Sequence, residues 1–137
     1  MATTDERQAA VFTDIEDRLR EIVEPLRLKL VATRDQPGDL ALEIPGLEGK
    51  PWGYVVGIRR GKRYVSYYLM SVYADPGIAA GMSPELRRRM QGKSCFNFNR
   101  VDPPLFEELG RITTATFEEQ LAKAAEMVAT GAPTRSR

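Results

Sequence analysis

The stretch WGYVVGIRRGKRYVSYYLMSVY, residues 52–73, decides the fold class of this chain. Its two apolar runs, residues 52–58 and 64–73, are rich in valine and tyrosine, which are typical of β-strands. The basic segment between them contains Gly61, which is predicted to supply the positive φ of a tight hairpin. A connection this short makes the strands antiparallel, because a parallel pair needs a crossover of a dozen residues or more. Neither face of the second run is charged, which predicts a central strand covered on both sides.

Further strands are predicted on either side of this hairpin. Residues 40–44 alternate between apolar and other side chains, and a turn at residues 36–39 precedes them. Residues 94–98 form another strand pattern, and residues 28–33 indicate either a strand or an extended connection. Short turns join these segments, so an antiparallel sheet is expected.

Helices are predicted at both ends of the chain. An apolar stripe with helical spacing begins at Phe12 and ends at Leu26, close to the helix-breaking Pro25. Ser83 and Asp102 each precede a proline, which is typical of a helix start, and each predicts a short helix. A capping box at Thr116 predicts a separate last helix. The fold class is therefore α+β, with an antiparallel β-sheet covered by N- and C-terminal helices.

Length and composition predict one domain. Of the 137 residues, we assign 1–130 to a single domain and 131–137 to a disordered tail. Twenty basic and nineteen acidic side chains leave a net charge of +1, so the whole chain has no field that would attract nucleic acid or a membrane. Neither a secretory signal nor a membrane-spanning run is evident, which predicts a cytoplasmic protein.

The residue types that are missing exclude most common catalytic sites. The chain has no histidine, which excludes Ser-His-Asp triads, Cys-His pairs and HExxH zinc sites. Cys95 is the only cysteine, so neither an intramolecular disulfide nor a tetrathiolate zinc site can form. In an apolar strand this cysteine is typical of a small buried side chain rather than a nucleophile. The composition therefore favours a binding protein over an enzyme.

The central part of the chain resembles YdhG-like domains, a bacterial family of unknown function that is structurally related to frataxin. The similarity rests on three segments: residues 64–70 (YVSYYLM), 83–86 (SPEL) and 91–98 (QGKSCFNF). The resemblance implies a YdhG-like or frataxin-like sandwich, and it implies iron binding in the manner of an iron chaperone.

Acidic side chains on the first helix are the first candidate site. Four carboxylates at intervals of three and four residues occupy the face opposite the apolar stripe, and carboxylate oxygens suit hard cations. The residues are Asp14, Asp17, Glu21 and Glu24. The resemblance to frataxin-like proteins gives this ridge a role in iron binding. The alternative is an ordinary solvated helix face.

Two further sets are candidates for ligand binding. A polar and aromatic set on the strands is typical of a small-ligand pocket, but also suits a core or a dimer face. It contains Trp52, Tyr64, Ser66, Tyr68, Cys95 and Asn97. A basic set could bind phosphate, or could be charged turns and an exposed helix face. It contains Arg59, Arg60, Lys62, Arg63, Arg87, Arg88, Arg89 and Lys93.

These candidates give three functional hypotheses. The first is a non-enzymatic protein that binds iron weakly through the carboxylates of the first helix. The second is a module for a small anionic ligand or nucleic acid, which uses the arginines and the face from Tyr68 to Asn97. The third is a homodimeric structural or interaction protein.

Overall fold

A six-stranded antiparallel sheet is the centre of the fold. The computed structural model describes residues 3–129, so the predicted tail at 131–137 lies outside the described residues. The strand order is β1-β2-β3-β4-β6-β5. The strands are β1 (Val31–Gln36), β2 (Asp39–Glu43), β3 (Tyr54–Arg60), β4 (Val65–Leu69), β5 (Met90–Gln91) and β6 (Cys95–Phe98).

Two long helices lie at the ends of the chain and three short ones in its middle. They are α1 (Thr4–Val23), α2 (Met70–Ala74), α3 (Pro76–Ala80), α4 (Pro84–Arg87) and α5 (Pro103–Ala129). A capping box between Thr3 and Glu6 begins α1. The helix ends at Val23, and the chain continues as a 3₁₀ turn, Glu24–Leu28, with Pro25 in its first turn. Among the described residues, no helix is both long and apolar enough to cross a membrane.

The core lies between one face of the sheet and the two long helices. Ile15 and Leu19 of α1 and Leu109 of α5 are fully buried, as are Tyr67 and Phe96 of the central strands. Burial alternates along β4 and β6, because successive side chains of a strand point to opposite faces of the sheet. The observed fold is α+β, which confirms the predicted class.

Strand β4 differs from its prediction in length and in coverage. The strand ends at Leu69, and residues 70–73 belong to α2 instead of continuing the strand. Tyr67 is fully buried, whereas Ser66 and Tyr68 are only partly buried, so the prediction of a strand covered on both sides is wrong. The side chains on the second face are uncharged because they hydrogen-bond to other side chains of that face, not because another layer of the protein covers them.

The β3–β4 hairpin does not use a left-handed glycine. Gly61 is not among the glycines with positive φ, and its N–H donates to the carbonyl of Tyr64 (2.8 Å) across a four-residue loop. The left-handed conformation occurs in the β1–β2 hairpin instead, where Gly38 has φ 82°. The β3–β4 loop is two residues longer than a two-residue hairpin loop, so it does not need the positive φ that such a hairpin requires.

The C-terminal region is one continuous helix, so the prediction of two helices is wrong. Thr116 was expected to cap a new helix, but its hydroxyl donates to the carbonyl of Ile112 (2.8 Å) inside α5. The same hydroxyl lies 2.8 Å from Ser71 Oγ. No proline interrupts residues 105–129, so the helix continues through the capping signal. Near the C-terminal end of this helix, Val128 is 61% exposed.

A buried hydrogen bond between Tyr67 and Thr113 ties the sheet to α5. The two hydroxyl oxygens are 2.7 Å apart, and both residues are fully buried. Burial raises the pKa of the Tyr67 phenol, so the group stays protonated at neutral pH. Tyr67→Phe is expected to lower the free energy of unfolding by about 1–2 kcal/mol, because it leaves a buried threonine hydroxyl without this partner.

Urea unfolding of Tyr67→Phe, Thr113→Val and the double variant measures this interaction. The double variant is expected to be more stable than the sum of the single losses predicts, because removal of both partners leaves no unpaired hydroxyl. Strictly additive losses would contradict a direct interaction between the two groups.

Candidate functional site: the open face of the sheet

The sheet face opposite the helices carries a row of polar and aromatic side chains. Ser66 and Tyr68 alternate with the buried residues of β4, and Cys95 and Asn97 alternate with the buried phenylalanines of β6. The strand register pairs Ser66 with Asn97 and Tyr68 with Cys95. All four are only partly buried, so we call this surface the open face.

Asn97 is the centre of the hydrogen-bond network on the open face. Its Oδ1 accepts from the Ser66 hydroxyl (2.6 Å) and from the Cys95 thiol (3.3 Å). Its Nδ2 donates to Gln91 Oε1 (2.7 Å), which leaves the second N–H of Asn97 and the amide N–H groups of Gln91 for other acceptors. The network therefore fixes the asparagine while presenting donors to solvent.

The β3–β4 loop forms one wall of a shallow cavity on the open face. The cavity has a volume of about 370 Å³. Its lining consists of Gly61, Lys62, Arg63, Tyr64, Ser66, Tyr68, Gln91, Cys95 and Asn97. This set contains two cations and no carboxylate. Lys62 and Arg63 are exposed, and neither forms an ion pair with any residue that the structure describes.

The phenol of Tyr68 is held in its neutral form. Partial burial raises the pKa of this group, and the neighbouring Cys95 thiol raises it further. A neutral phenol can donate one hydrogen bond and present an uncharged ring. The open-face cavity thus combines positive charge at one end with an aromatic ring and amide donors at the other.

Most residues that line the open-face cavity belong to the two ligand-binding sets predicted from the sequence, but Gln91 belongs to neither. The β5 strand that carries Gln91 has only two residues, which is too short for a periodic signal. The turn at Gly92, with φ 77°, brings it beside Cys95. Trp52, which the prediction included, lies instead in a second groove together with Tyr54 and α5 residues.

The predicted basic set does not converge on one place. Arg60 turns to the helix side, where it donates to Thr13 Oγ1 (3.0 Å) and to the carbonyl of Ala9 (2.8 Å). Arg88 lies 3.8 Å from Glu85, and Lys93 lies over the ring of Tyr73. Of the eight basic residues, only Lys62 and Arg63 line the open-face cavity. Arg59 is exposed on β3 and pairs with Ser66 in the strand register, whereas Arg87 is exposed on α4 and Arg89 lines a different cavity with Arg88.

Asp14, Asp17 and Glu21 lie along the exposed face of α1, but the prediction that Glu24 belongs to the same helix is wrong, because α1 ends at Val23 and Glu24 begins the 3₁₀ turn. Asp14 bonds Arg18 Nε (2.9 Å), and Glu24 lies 4.0 Å from Arg27 Nε. Asp17 and Glu21 are exposed. Within residues 3–129, no group of three or more potential ligands is arranged to hold a metal ion. Iron binding by this ridge stays a prediction to which the geometry adds no support.

Comparison of the chain with family models, with curated proteins and with solved structures found no match. The resemblance to YdhG-like domains therefore stays a prediction. Fold and site together define the class of the protein as an α+β fold with a polar, aromatic and partly basic cavity on its open sheet face.

Proposed function

We propose that this protein binds a small anionic molecule with a planar polar ring on the open face of its sheet. The observation that carries the proposal is a pair of cations, Lys62 and Arg63, which form no ion pair within residues 3–129 and which line a cavity without a carboxylate. A nucleoside monophosphate represents this chemical class, because it joins an anionic group to a planar ring with a hydrogen-bonding edge.

Each part of such a ligand has a partner in the cavity. The anionic group pairs with Lys62 and Arg63, since a guanidinium and an ammonium both donate to phosphate oxygens. The planar ring lies against Tyr68, whose neutral phenol offers an aromatic surface. Its polar edge accepts from Asn97, whose side chain is already oriented by three hydrogen bonds.

The size of the cavity supports a small ligand rather than a nucleic acid strand. Its volume of about 370 Å³ lies near the lower end of the 300–1,000 Å³ range typical of small-molecule sites. Strand-binding proteins instead use a basic groove that follows several phosphates. Here the basic residues lie in separate places, and the net charge is only +1.

Titration calorimetry with AMP and with adenosine tests this proposal. The two probes share the ring and differ in the phosphate, so AMP is expected to bind more tightly. Lys62→Gln combined with Arg63→Gln is expected to weaken AMP binding about tenfold, since each partly exposed charge pair contributes up to about 1 kcal/mol. Adenosine binding is expected to change less than about twofold.

A matched double variant separates the local effect from net charge. Arg7 and Lys50 are exposed and have no ion pair with a described residue, so Arg7→Gln with Lys50→Gln removes the same charge elsewhere. This control is expected to bind AMP like the native protein. Equal affinity for AMP and adenosine, or equal weakening by both double variants, would contradict the proposal. Preference for a single-stranded oligonucleotide over AMP would favour a nucleic-acid module instead.

A further inference from the structure

The side-chain amides of Asn97 and Gln91, which line the open-face cavity, offer a ligand mostly hydrogen-bond donors. Resting on the function proposed above, we infer that the ring bound at this cavity presents two adjacent acceptors, as a 6-oxopurine does with its O6 and N7 atoms. Asn97 and Gln91 then determine the specificity for the ring, and Ser66 is a positioning residue that acts through Asn97.

Asn97 can donate to a ligand but can no longer accept from one. The Ser66 hydroxyl donates to its Oδ1 (2.6 Å), and the Cys95 thiol donates to the same atom (3.3 Å). An amide oxygen has two lone pairs, so both are occupied. Asn97 therefore cannot form the paired contact with an amino group and a ring nitrogen by which a free asparagine amide recognises adenine.

Gln91 adds further donors beside Asn97. It is exposed, and its Oε1 accepts from Asn97 Nδ2 (2.7 Å). No described residue accepts from the Nε2 of Gln91. With one N–H left on Asn97 and two on Gln91, the two amides keep three N–H groups but only one lone pair for a ligand.

Strand register keeps the two amides together. Ser66 of β4 pairs with Asn97 of β6, and Gln91 of β5 pairs with Cys95. The groups that occupy Asn97 Oδ1 and the group that accepts from its Nδ2 are thus positioned by three adjacent strands. A ligand meets donors that are already oriented, which lowers the entropy cost of binding.

Purine rings differ at the edge that would meet these donors. The O6 and N7 atoms of a 6-oxopurine are both acceptors, whereas adenine has an acceptor at N7 and an amino donor at N6. An amino group that faces an amide N–H leaves two donors without a partner, which costs free energy when water is displaced. IMP and AMP carry the same ribose and phosphate, so Lys62 and Arg63 act equally on both nucleotides.

Titration calorimetry with IMP, AMP and 7-deaza-IMP tests this specificity. IMP is expected to bind the native protein about tenfold more tightly than AMP, the effect of one well-matched pair of base contacts. 7-Deaza-IMP lacks the N7 acceptor and is expected to bind about as weakly as AMP. The ratio of the IMP and AMP affinities is the quantity to compare between variants, because it cancels effects on the phosphate.

Gln91→Glu replaces donors with acceptors at an exposed position. A carboxylate oxygen can still accept from Asn97 Nδ2 and can also accept from the amino group of AMP. This variant is expected to lose the preference for IMP, so that the affinity ratio falls from about ten to about one or below. Gln8→Glu adds the same charge at an exposed position of α1, on the other side of the sheet, and is expected to keep the native ratio.

Ser66→Ala tests the role of the Ser66 hydroxyl as a positioning group. Its loss frees one lone pair of Asn97 Oδ1, which can then accept from the amino group of AMP. The preference for IMP is expected to fall to about threefold or less. A merely structural role of Ser66 would weaken both nucleotides alike and leave the ratio unchanged.

The possible failures of this inference and of the proposed function are distinct. Equal affinity for IMP and AMP, with both tighter than adenosine, would overturn the inference and leave the anion site in place. An unchanged ratio in Gln91→Glu, or an equal change in Gln8→Glu, would also overturn it. Absence of saturable binding for both nucleotides would overturn the inference together with the proposed function.

Discussion

Gly53→Ala is expected to lower the free energy of unfolding by about 3 kcal/mol, at the upper end of the usual cost of overpacking. Gly53 is buried at the end of the 3₁₀ turn Pro51–Gly53. A Cβ atom at this position would overlap the Leu47 carbonyl oxygen and lie 2.8 Å from Leu47 Cβ and 2.9 Å from its carbonyl carbon. Backbone atoms cannot move aside as a flexible side chain can, so the whole segment must shift.

The shift would disturb contacts at both ends of this segment. Ile44 N–H donates to the carbonyl of Gly53 (2.8 Å), and Leu47 N–H donates to the carbonyl of Ile44 (2.9 Å). Leu47 is only 7% exposed and belongs to the core. Displacing the segment therefore removes an apolar side chain from the core and lengthens backbone hydrogen bonds before β3 begins.

Gly110→Ala is the matched control, since it makes the same substitution at another glycine. Gly110 lies inside α5, and a Cβ there would make ordinary contacts with Ile22 at 3.8 and 3.9 Å. Alanine favours a helix interior by about 1 kcal/mol over glycine, so Gly110→Ala is expected to stabilise the protein. Urea unfolding of both variants measures the difference. A similar stability change in the two variants would show that the Leu47 contact does not decide the cost.

The sequence predicted those parts of the fold that depend on interactions between residues close together in the chain. The apolar stripe of α1 and the proline that ends it depend on neighbours within a few residues, and the structure confirms both. The capping signal at Thr116 was misleading, because the same residues also fit a helix interior in which the threonine hydroxyl bonds the preceding turn. The contact of this hydroxyl with Ser71, which is distant in sequence, accompanies the continuous helix and leaves no signal in the local sequence.

Sequence was less informative about the candidate site, because the site depends on strand register. Alternation indicates that Ser66 and Tyr68 share a face, and the register places Asn97 and Cys95 opposite them. No pattern in the sequence shows that Arg60 turns to the helix side while Lys62 and Arg63 turn to the cavity. Nor does any pattern place Gln91, on its two-residue strand, in the same network. The binding roles of these residues stay predictions.

Glu16→Ala is expected to lower the free energy of unfolding by about 3 kcal/mol, the low end of the cost of breaking a buried ion pair. The Glu16 side chain is 7% exposed, and its Oε2 accepts from Arg20 Nε (2.9 Å) and from Gly38 N–H (2.8 Å). Its Oε1 lies 3.9 Å from Arg60 Nη1. One carboxylate therefore connects α1 to the β1–β2 turn and to the end of β3. Its loss removes the acceptor of the Gly38 N–H and of Arg20 Nε, while the other hydrogen bonds of Arg20 and Arg60 remain.

Two further substitutions separate the charge from the hydrogen bonds. Glu16→Gln keeps an oxygen for the N–H of Gly38 but removes the charge that Arg20 and Arg60 face, so a loss of about 1–2 kcal/mol is expected. Glu21→Ala alters an exposed glutamate of the same helix and is expected to change stability by no more than about 0.5 kcal/mol. Urea unfolding ranks the three variants. If Glu16→Ala lowered the free energy of unfolding no more than Glu21→Ala does, the Glu16 carboxylate would be an ordinary helix side chain. The connection of α1 to the β1–β2 turn and to the end of β3 would then depend on Arg20 and Arg60 alone.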